Sequence, residues 1–296
     1  MSKFTIRAPD FSPLNGKVVV VTGSTSGIGL ETVELLRFLG ASVVGGDIQE
    51  PQESKRERFA FVKTDVTKWE DLVGLFKEAM RRFGGVDHVH ANAGLGPRAD
   101  YINLSLDENG DPLEPDGLTL DVNLKAVVNT TTLGMHYIRQ SKRAGSVVIT
   151  SSTKALQRSR IVDYVIAKHG TLGVLRGMHK RLSLTSLPIR INAVAPSWTG
   201  SDMVKGSFLS DLSIYHQPAS AVARAVVFLM ADEQRNGQLI HVDHGVYTEV
   251  DESLLLPAYE GVKHPETGDE DDDYRRIEKA MLESAGRPER DWGAAI

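Results

Sequence analysis

The segment Lys17–Gly29 reads Lys-Val-Val-Val-Val-Thr-Gly-Ser-Thr-Ser-Gly-Ile-Gly, and the rest of the chain is organised around it. Its four consecutive valines predict an inner parallel strand buried on both faces, because β-branched side chains pack well on a pleated sheet. The glycines that follow, Gly23, Gly27 and Gly29, lack side chains that would keep a diphosphate away from the backbone. An apolar helix opening at Ile28 would point its first amides at that anion. The segment predicts a nucleotide site, with a glycine-rich turn that binds nothing as the alternative.

A second sign of a dinucleotide lies at the end of the next predicted strand, residues 41–47. Asp47 comes about two dozen residues after the first glycine, where a carboxylate can accept hydrogen bonds from the adenosine ribose hydroxyls. A carboxylate there repels a 2′-phosphate, and neither Ser24 nor the pair Ile48-Gln49 supplies an arginine to hold one. The pattern favours NAD(H) over NADP(H), and an aspartate that only caps a turn is the alternative.

Composition bounds the class of protein. With 296 residues and 41% hydrophobic content, the chain can bury one large core, and we expect a polar lead-in (residues 1–14), one α/β domain (15–250) and a C-terminal extension (251–296). A net charge of −5 argues against a nucleic-acid partner. The absence of cysteine excludes disulfides and thiol chemistry. No stretch approaches the roughly 20 apolar residues of a membrane span and no export signal opens the chain, so we expect a cytoplasmic protein.

Strands and helices are predicted to alternate along the chain. After the first strand, further strands are predicted at 41–47, 59–66, 86–91, 146–150, 190–195 and 238–243, and helices at 68–83, 115–139, 162–183 and 219–230. Such alternation requires right-handed crossovers. It predicts a Rossmann-type, doubly wound, seven-stranded parallel sheet flanked by helices.

Two segments depart from this alternation. Residues 96–114 are rich in turn pairs and predict a surface loop at the carboxyl edge of the sheet, where it can border a substrate. The tail contains an acidic run over 266–273, predicted to be solvated, and then a helix over 274–285. Trp292 and Ile296 are candidates for docking on a partner subunit.

A tyrosine and a lysine lie four residues apart, Tyr164 and Lys168, on one face of the predicted helix 162–183. A tyrosine acting as a base near neutral pH needs its pKa lowered by about three units, or about 4 kcal/mol. One ammonium about 4 Å away provides a gross energy of about 4 kcal/mol at an effective dielectric constant near 20, although desolvation opposes it. The pair can therefore act as a unit in acid–base chemistry, and an ordinary surface pair is the alternative.

Two further polar sites could complete this chemistry. Counting seven residues from Gly145 selects Ser152 as the hydroxyl that steadies a substrate oxygen, while counting thirteen back from Tyr164 selects Ser151. We favour Ser152, because a deletion in the following loop is easily absorbed, whereas a slip in a strand turns every side chain over. Asn123, inside an apolar helix, needs hydrogen-bond partners: either a bound water leading toward Lys168 or neighbouring backbone.

These motifs together resemble the short-chain dehydrogenase/reductase family. The matching residues are Thr22-Gly23-x-x-x-Gly27-Ile28-Gly29, Asp65-Val66, Asn92-Ala93-Gly94, Asn123, Ser152, Tyr164-x-x-x-Lys168 and Arg190-x-Asn192-Ala193-Val194-x-Pro196. They follow the family's order over residues 15–250. A softer resemblance, carried by the segments at 115–124 and 196–199, is to fungal members similar to 15-hydroxyprostaglandin dehydrogenases, and it fits a role in secondary metabolism.

The resemblance implies a role for each residue. Tyr164 is the acid/base, Ser152 steadies the substrate oxygen, Lys168 holds the nicotinamide ribose and lowers the tyrosine pKa, and Asn123 positions a relay water. The residues implied to bind the cofactor are Gly23, Thr25, Ser26, Gly27, Ile28, Gly29, Asp47, Asp65, Val66, Asn92, Ala93, Gly94, Tyr164, Lys168, Pro196 and Ser201. A homodimer or homotetramer is also implied.

Two departures from the family pattern stand near the carboxyl ends of the last strands. Pro196-Ser197 replaces the usual Pro-Gly, and only Ser201 matches the threonine that contacts the carboxamide. Val242-Asp243-His244-Gly245 replaces the usual Val-Asp-Gly-Gly.

The chain is thus predicted to be an NAD(H)-dependent oxidoreductase that interconverts a secondary alcohol and a ketone. Trp198, Met203 and Phe208 are predicted to lie on a mobile lid, which favours an apolar small molecule. His88, His90 and the His241–His244 segment have ligand-like chemistry but more often form core or turn contacts, so no metal is expected. The alternatives are a redox-neutral dehydratase or epimerase and a non-catalytic NAD-sensing module.

Overall fold

The computed structural model describes residues 2–52, 57–264 and 267–284. The strands are β1 (Ser2–Phe4), β2 (Val18–Thr22), β3 (Ser42–Asp47), β4 (Phe59–Lys63), β5 (His88–Ala91), β6 (Gly145–Thr150), β7 (Ile189–Pro196), β8 (Thr199–Gly200), β9 (Gln217–Pro218), β10 (Leu239–Asp243) and β11 (Val246–Glu249). The α-helices are α1 (Gly27–Phe38), α2 (Trp69–Phe83), α3 (Leu118–Leu120), α4 (Ala126–Gln140), α5 (Val162–Ser183), α6 (Gly206–Asp211), α7 (Ala219–Ala231), α8 (Leu256–Glu260) and α9 (Glu270–Ser284).

The central sheet has the order β1-β11-β10-β7-β6-β5-β2-β3-β4. The seven strands from β10 to β4 are parallel, as predicted. The chain builds β3 and β4 on one side of β2 and then crosses to β5 on the other side. The reversal of strand order opens a crevice between the carboxyl ends of β2 and β5, where such sheets bind ligands.

The valines of β2 explain why this strand is central. Val18 and Val20 pack into the apolar cluster on one face of the sheet, and Val19 and Val21 pack into the cluster on the other face. All four are buried, and β2 pairs with β3 and β5 on its two sides. The prediction of an inner strand buried on both faces is confirmed.

The sheet has two strands more than the predicted seven. β11 turns back antiparallel to β10, with Asp243 paired to Val246, so that only His244 and Gly245 form the turn. Both turn residues have positive φ, 53° and 70°, as a two-residue hairpin turn requires. This His-Gly pair before an alternating Val-Tyr-Thr-Glu run is the signal that the strand count missed.

The N-terminal segment does more than form the predicted polar lead-in: it adds a strand to the sheet and buries apolar side chains. β1 pairs antiparallel with β11 and adds the ninth strand of the sheet. Ile6, Phe11 and Leu14 are buried beside α1 and α7 in the second apolar cluster. Ile6, Phe11 and Leu14 therefore contribute to the apolar core on one face of the sheet.

Two predicted boundaries move for local reasons. The strand expected over 59–66 ends at Lys63, because Asp65 accepts hydrogen bonds from the backbone and hydroxyl of Thr67 and turns the chain toward α2. The helix expected over 115–139 begins at Leu118 and contains a π-helical turn, Asp121–Lys125, between α3 and α4. Such turns inside helices are frequent at functional sites.

The described part of the tail lies against α5. Asp269 and Asp271 approach the Lys180 ammonium at 3.5 and 3.6 Å, so two residues of the acidic run pair with a lysine on the protein surface. α9 starts at Glu270, four residues before the predicted helix. The predicted docking residues Trp292 and Ile296 lie outside the described residues, as do residues 265 and 266.

Candidate active site

The glycine-rich loop joins β2 to α1 at the crevice. A side chain on Gly29 would collide with the carbonyl oxygen of Gly23, and a Cβ on Gly23 would lie 2.9 Å from the Cα of Ala93. Gly23 also has φ of 67°, which glycine adopts without steric cost. Two of the predicted diphosphate glycines are thus required by the packing of the loop itself and of its neighbour after β5.

The first turn of α1 is open at its N-terminus. Ser26 precedes the helix with an extended backbone, and its side chain makes no capping hydrogen bond. The amides of Gly27 and Ile28 therefore begin a helix that no side chain caps, at the end where the helix dipole favours an anion. This end of α1 fits the diphosphate of a dinucleotide.

Asp47 ends β3 beside this loop. Its Oδ2 accepts a 3.1 Å hydrogen bond from the Thr25 amide, and its Oδ1 accepts one of 3.1 Å from the Gln49 amide. The side chain remains partly exposed, and a carboxylate has about four acceptor positions. Asp47 therefore orders the turn and still has acceptor capacity for a ribose.

Asp65 and Val66 follow β4. The hydrogen bond from the Thr67 hydroxyl, with smaller help from the Thr67 amide and Lys68, outweighs burial and holds the pKa of Asp65 below its usual value. Val66 is buried in the first apolar cluster. Asp65 thus orders the turn that leads into α2, and the contact of Asp65 and Val66 with adenine remains a prediction.

Asn92 and Ala93, in the loop after β5, are tied to β2. The Asn92 Nδ2 donates to the carbonyl oxygens of Thr22 and Gly23, each at 3.1 Å. The Thr22 hydroxyl accepts from the amides of Asn92 (3.0 Å) and Ala93 (3.2 Å). The Asn92 Oδ1 accepts from the Thr150 hydroxyl at 3.1 Å. This hydrogen-bond network holds the carboxyl ends of β2, β5 and β6 together.

Asn123 lies in the π-helical turn and is fully buried. Its Oδ1 accepts from the Leu95 amide at 2.8 Å, and its Nδ2 donates to the Leu95 carbonyl at 2.7 Å. A Cβ on Gly94 would lie 3.1 Å from the Asn123 Oδ1, so a side chain there would crowd this contact. Of the two partners left open by the sequence, neighbouring backbone is the one that binds the side chain, and the relay water remains a prediction.

Replacing Asn123 tests this clamp. We expect Asn123→Ala to lower the free energy of unfolding by about 1–3 kcal/mol, because the amide and carbonyl of the partly buried Leu95 lose their partners. Urea unfolding gives the free energy, and faster amide exchange at Leu95 locates the change. Asn129→Ala, on α4 and only partly buried, is the matched control. Equal stability of the two variants would contradict the clamp.

Ser152, Tyr164 and Lys168 come together where β6 ends against α5. The Tyr164 side chain is hydrogen-bonded to Ser152. The Lys168 Nζ lies 5.6 Å from the centre of the Tyr164 ring and donates a 2.9 Å hydrogen bond to the Thr150 carbonyl. The predicted unit of hydroxyl, phenol and ammonium is thus assembled at the carboxyl edge of the sheet.

Burial governs the proton affinities of this unit. Desolvation raises the pKa of the Tyr164 phenol, and the hydrogen bond with Ser152 opposes that rise. Desolvation lowers the pKa of Lys168 to about 8, so its ammonium remains charged at neutral pH. Burial of the phenol thus outweighs its hydrogen bond with Ser152, and a lowering of the tyrosine pKa by Lys168 remains a prediction.

The structure separates the two candidate serines. The Ser151 hydroxyl pairs with the Thr171 hydroxyl at 2.8 Å, inside the contact between β6 and α5. Ser152 is buried beside Tyr164, and its Oγ accepts from the Lys154 amide at 3.2 Å. Ser152 is the serine that lies next to the phenol, as the count along the strand predicts.

Pro196 and Ser201 come from the end of β7. Pro196 is the last residue of β7 and pairs with Val242. Ser201 follows in the next segment, and its Cβ lies 2.9 Å from the point that a Cβ of Gly27 would occupy. This segment therefore passes over the glycine-rich loop. The contact of Ser201 with a carboxamide remains a prediction.

Sequence reasoning missed Asp163, which immediately precedes the tyrosine. The fully buried carboxylate accepts from the amides of Arg98 (2.8 Å), Ala99 (3.2 Å) and Tyr164 (2.7 Å). Burial raises the pKa of Asp163, but these hydrogen bonds and one from Thr119 outweigh it, and the pKa lies below its usual value. Asp163 thus fixes loop 96–114 to the start of α5, and its position in the first turn of a helix was the available signal.

Two of the histidines with ligand-like chemistry, His88 and His90, are hydrogen-bonded within the sheet. His88 Nδ1 pairs with the Ser146 hydroxyl at 2.9 Å, and His90 Nε2 pairs with the Thr150 hydroxyl at 2.8 Å. Across residues 2–52, 57–264 and 267–284, no three His, Asp or Glu side chains gather as metal ligands would. Among the helices in those same ranges, none has the length and apolarity needed to cross a membrane.

Comparisons with known proteins agree with this geometry. The family model described as "short chain dehydrogenase" matches residues 17–211. A short-chain dehydrogenase/reductase of Acremonium egyptiacum, ascJ, is 48% identical over 95% of this chain and 97% of its own length. ATR7 of Stachybotrys chlorohalonatus, another short-chain dehydrogenase/reductase, is 35% identical over 77% of this chain and 72% of its own. The 3-ketoacyl-(acyl-carrier-protein) reductase of Brucella melitensis, solved with NADH, shares the fold with a TM-score of 0.67 at 22% identity, covering 78% and 98% of the two chains.

Proposed function

Because the chain belongs to the short-chain dehydrogenase/reductase family, we propose that it is an NAD(H)-dependent oxidoreductase that interconverts a secondary alcohol and a ketone on a largely apolar small molecule. The family and the Rossmann-type fold predicted from the motifs are confirmed. The narrower resemblance to 15-hydroxyprostaglandin dehydrogenases, the homo-oligomer and the cytoplasmic location remain predictions.

The observation that carries the proposal is the arrangement of Ser152, Tyr164 and Lys168 beside the glycine-rich loop. In the reduction direction, the protonated Tyr164 donates its proton to the carbonyl oxygen of the substrate, and the raised pKa of the phenol suits this role. In oxidation, Tyr164 takes the proton of the substrate hydroxyl. Ser152 donates a hydrogen bond to the same substrate oxygen and fixes its position.

Lys168 keeps a buried positive charge under the phenol ring. The charge favours the phenolate while the proton is on the substrate, and the hydrogen bond to the Thr150 carbonyl holds the ammonium in place. A nicotinamide bound at the glycine-rich loop would exchange the hydride and, when oxidised, would add a second positive charge near the phenol. The open N-terminus of α1 and Asp47 are the groups that would bind its diphosphate and adenosine ribose.

Asp47 supports NAD(H) over NADP(H). Its carboxylate lies beside the glycine-rich loop, and Ile48, which follows, exposes an apolar side chain. A 2′-phosphate would therefore meet a negative charge on Asp47, and neither Ile48 nor Gln49 supplies a cation to offset it.

Titration with NADH and NADPH, followed by cofactor fluorescence, tests this preference. We expect Asp47→Asn to weaken NADH binding by about 10- to 100-fold, because hydrogen bonds to a charged group contribute about 1.5–3 kcal/mol. NADPH binding should change little or improve, since the repulsion is removed. Glu31→Gln, an exposed change on α1 that removes the same charge, is the control. Equal affinities of the wild type for the two cofactors would contradict the assignment.

An apolar substrate is supported by the side chains at the mouth of the site. In the segment after β7, Trp198, Met203 and Phe208 are about half exposed, at 48%, 47% and 58%. Across the crevice, loop 96–114 exposes Ile102 and Leu106, and Asp163 anchors the start of this loop. Steady NADH formation with hydrophobic secondary alcohols would support the oxidoreductase. Cofactor binding without turnover would instead favour the sensing module, and conversion without change in the cofactor a dehydratase or epimerase.

A further inference from the structure

The segment that passes over the glycine-rich loop is attached at both of its ends. We call residues 198–216 the lid; it includes β8 and α6, and Ser201 lies against Gly27. At its base, the Gln217 amide donates to the Trp198 carbonyl at 2.9 Å. The buried Gln217 side chain donates to the Val242 carbonyl at 2.8 Å and accepts from the Gly245 amide at 3.2 Å. The two ends of the lid are therefore fixed to β10 and its turn.

A second connection joins the C-terminal end of the lid, two residues before Gln217, to the same turn. The rings of Tyr215, in the lid, and His244, in the β10–β11 turn, stack with centroids 3.6 Å apart and planes within 4° of each other. Tyr215 is 58% exposed and the His244 side chain is 53% exposed. A stack this exposed contributes little to the core, so it can open without unfolding the protein.

The turn itself does not require a histidine. His244 and Gly245 both have positive φ, and the pair best suited to such a two-residue turn is Asn-Gly. The His244 ring is oriented by a 2.9 Å hydrogen bond between its Nδ1 and the Asp243 Oδ1. The Asp243 carboxylate is also hydrogen-bonded to the Ser197 side chain, immediately before the lid. The ring is thus held in the orientation that meets Tyr215.

We propose that His244 and Tyr215 are positioning residues: their stacked rings form a clasp that holds the lid closed over the glycine-rich loop and so slows release of the bound cofactor. The clasp rests on contacts within the chain alone. Only the identity of what lies beneath the lid rests on the proposed function.

Limited proteolysis of the cofactor-free protein tests the clasp directly. Lys205 is the single Lys or Arg between residues 198 and 216, so trypsin reports lid opening at one bond. We expect His244→Asn and Tyr215→Leu to speed cleavage after Lys205 by about 2- to 12-fold, the range for loss of an aromatic pair. Tyr215→Phe keeps the ring and should match the wild type.

Two controls separate the clasp from general stability. His244→Asn preserves the turn, so its urea midpoint should equal or exceed that of the wild type. Cleavage after Arg190, within β7, requires unfolding of the sheet and should not change. Cleavage after Lys205 at the wild-type rate in both His244→Asn and Tyr215→Leu would overturn the proposal. So would an equal rise of cleavage at Lys205 and Arg190.

The dissociation rate of NADH, followed by stopped-flow fluorescence, tests what the lid covers. We expect His244→Asn and Tyr215→Leu to raise the dissociation rate by the same factor as the cleavage rate, with Tyr215→Phe unchanged. Faster cleavage with an unchanged NADH dissociation rate would overturn the role in cofactor release while the clasp stands. If the wild type binds no NADH at all, the proposed function fails, and the proteolysis result still decides the clasp.

Discussion

Tyr164→Phe is expected to lower kcat by about 1,000-fold while NADH affinity stays within about twofold of the wild type. The substitution removes the hydroxyl that exchanges a proton with the substrate and leaves the aromatic ring over Lys168 in place. General acid–base catalysis by one positioned side chain contributes about 10²- to 10⁴-fold, and the expected loss lies within this range. Single-turnover measurement of NADH formation separates the chemical step from cofactor binding.

The two adjacent serines provide a matched pair for the same experiment. We expect Ser152→Ala to lower kcat by about 10- to 100-fold, because the substrate oxygen loses the hydrogen bond from the hydroxyl beside Tyr164. Ser151→Ala should change kcat less than about threefold, because that hydroxyl pairs with Thr171 away from the phenol.

A Tyr164→Phe enzyme that keeps more than a tenth of wild-type kcat would contradict the role of the tyrosine as acid/base.

The parallel core of the fold could be predicted because most of its strands are short runs rich in apolar and β-branched residues that alternate with helical segments. The valines of β2 and the Asp47 that ends β3 lie where their spacing predicts. β11 was missed for a physical reason: its four residues include buried polar side chains, Thr248 and Glu249, and its pairing depends on the His244-Gly245 turn, in which a positive φ is unusual for the histidine. β1 was missed because a three-residue strand is stabilised only by a neighbour that is distant in sequence.

The sequence predicts which residues form the site, but it does not predict the burial and the hydrogen-bond partners of their side chains. The four-residue spacing of Tyr164 and Lys168 brings them together on α5 whatever surrounds them. The pKa shifts of the pair depend on burial by loops and strands far away in sequence, so their direction could not be read from the spacing. The same holds for Asn123, whose amide binds Leu95, 28 residues earlier, a partner that only the folded loop brings near.

The buried histidines of β5 predict a strong dependence of stability on pH. Burial lowers the pKa of His88 to about 3, helped by the positive charges of Arg190 and Lys17, and burial alone lowers the pKa of His90 to about 3. Both rings are neutral in the folded protein near neutral pH and become protonated in the unfolded chain below about 6.5. The unfolded state therefore binds more protons between pH 6.5 and 3, and stability falls as the pH falls through this window.

The expected slope is large. Each ring contributes about 1.4 kcal/mol per pH unit, so the two together lower the free energy of unfolding by about 2.7 kcal/mol for each unit of pH below 6.5. A fall of two pH units would lower the free energy of unfolding by about 5 kcal/mol, which is comparable to the whole stability of many domains. Urea unfolding at closely spaced pH values from 7 to 5 measures this slope. Most carboxylates contribute at lower pH, because their pKa values lie near or below 4.

Substitutions that keep one hydrogen bond but remove the ionisable ring test whether His88 and His90 cause this pH dependence of stability. In His88→Asn the amide can replace the Nδ1 that pairs with Ser146, and in His90→Gln it can replace the Nε2 that pairs with Thr150. We expect each variant to reduce the slope by about 1.4 kcal/mol per pH unit, whatever its stability at pH 7. His169→Asn, at an exposed position on α5 outside the sheet, is the matched control. A slope unchanged in both His88→Asn and His90→Gln would mean that the two rings take up protons in the folded protein, and that the interior of β5 is wetter than its packing indicates.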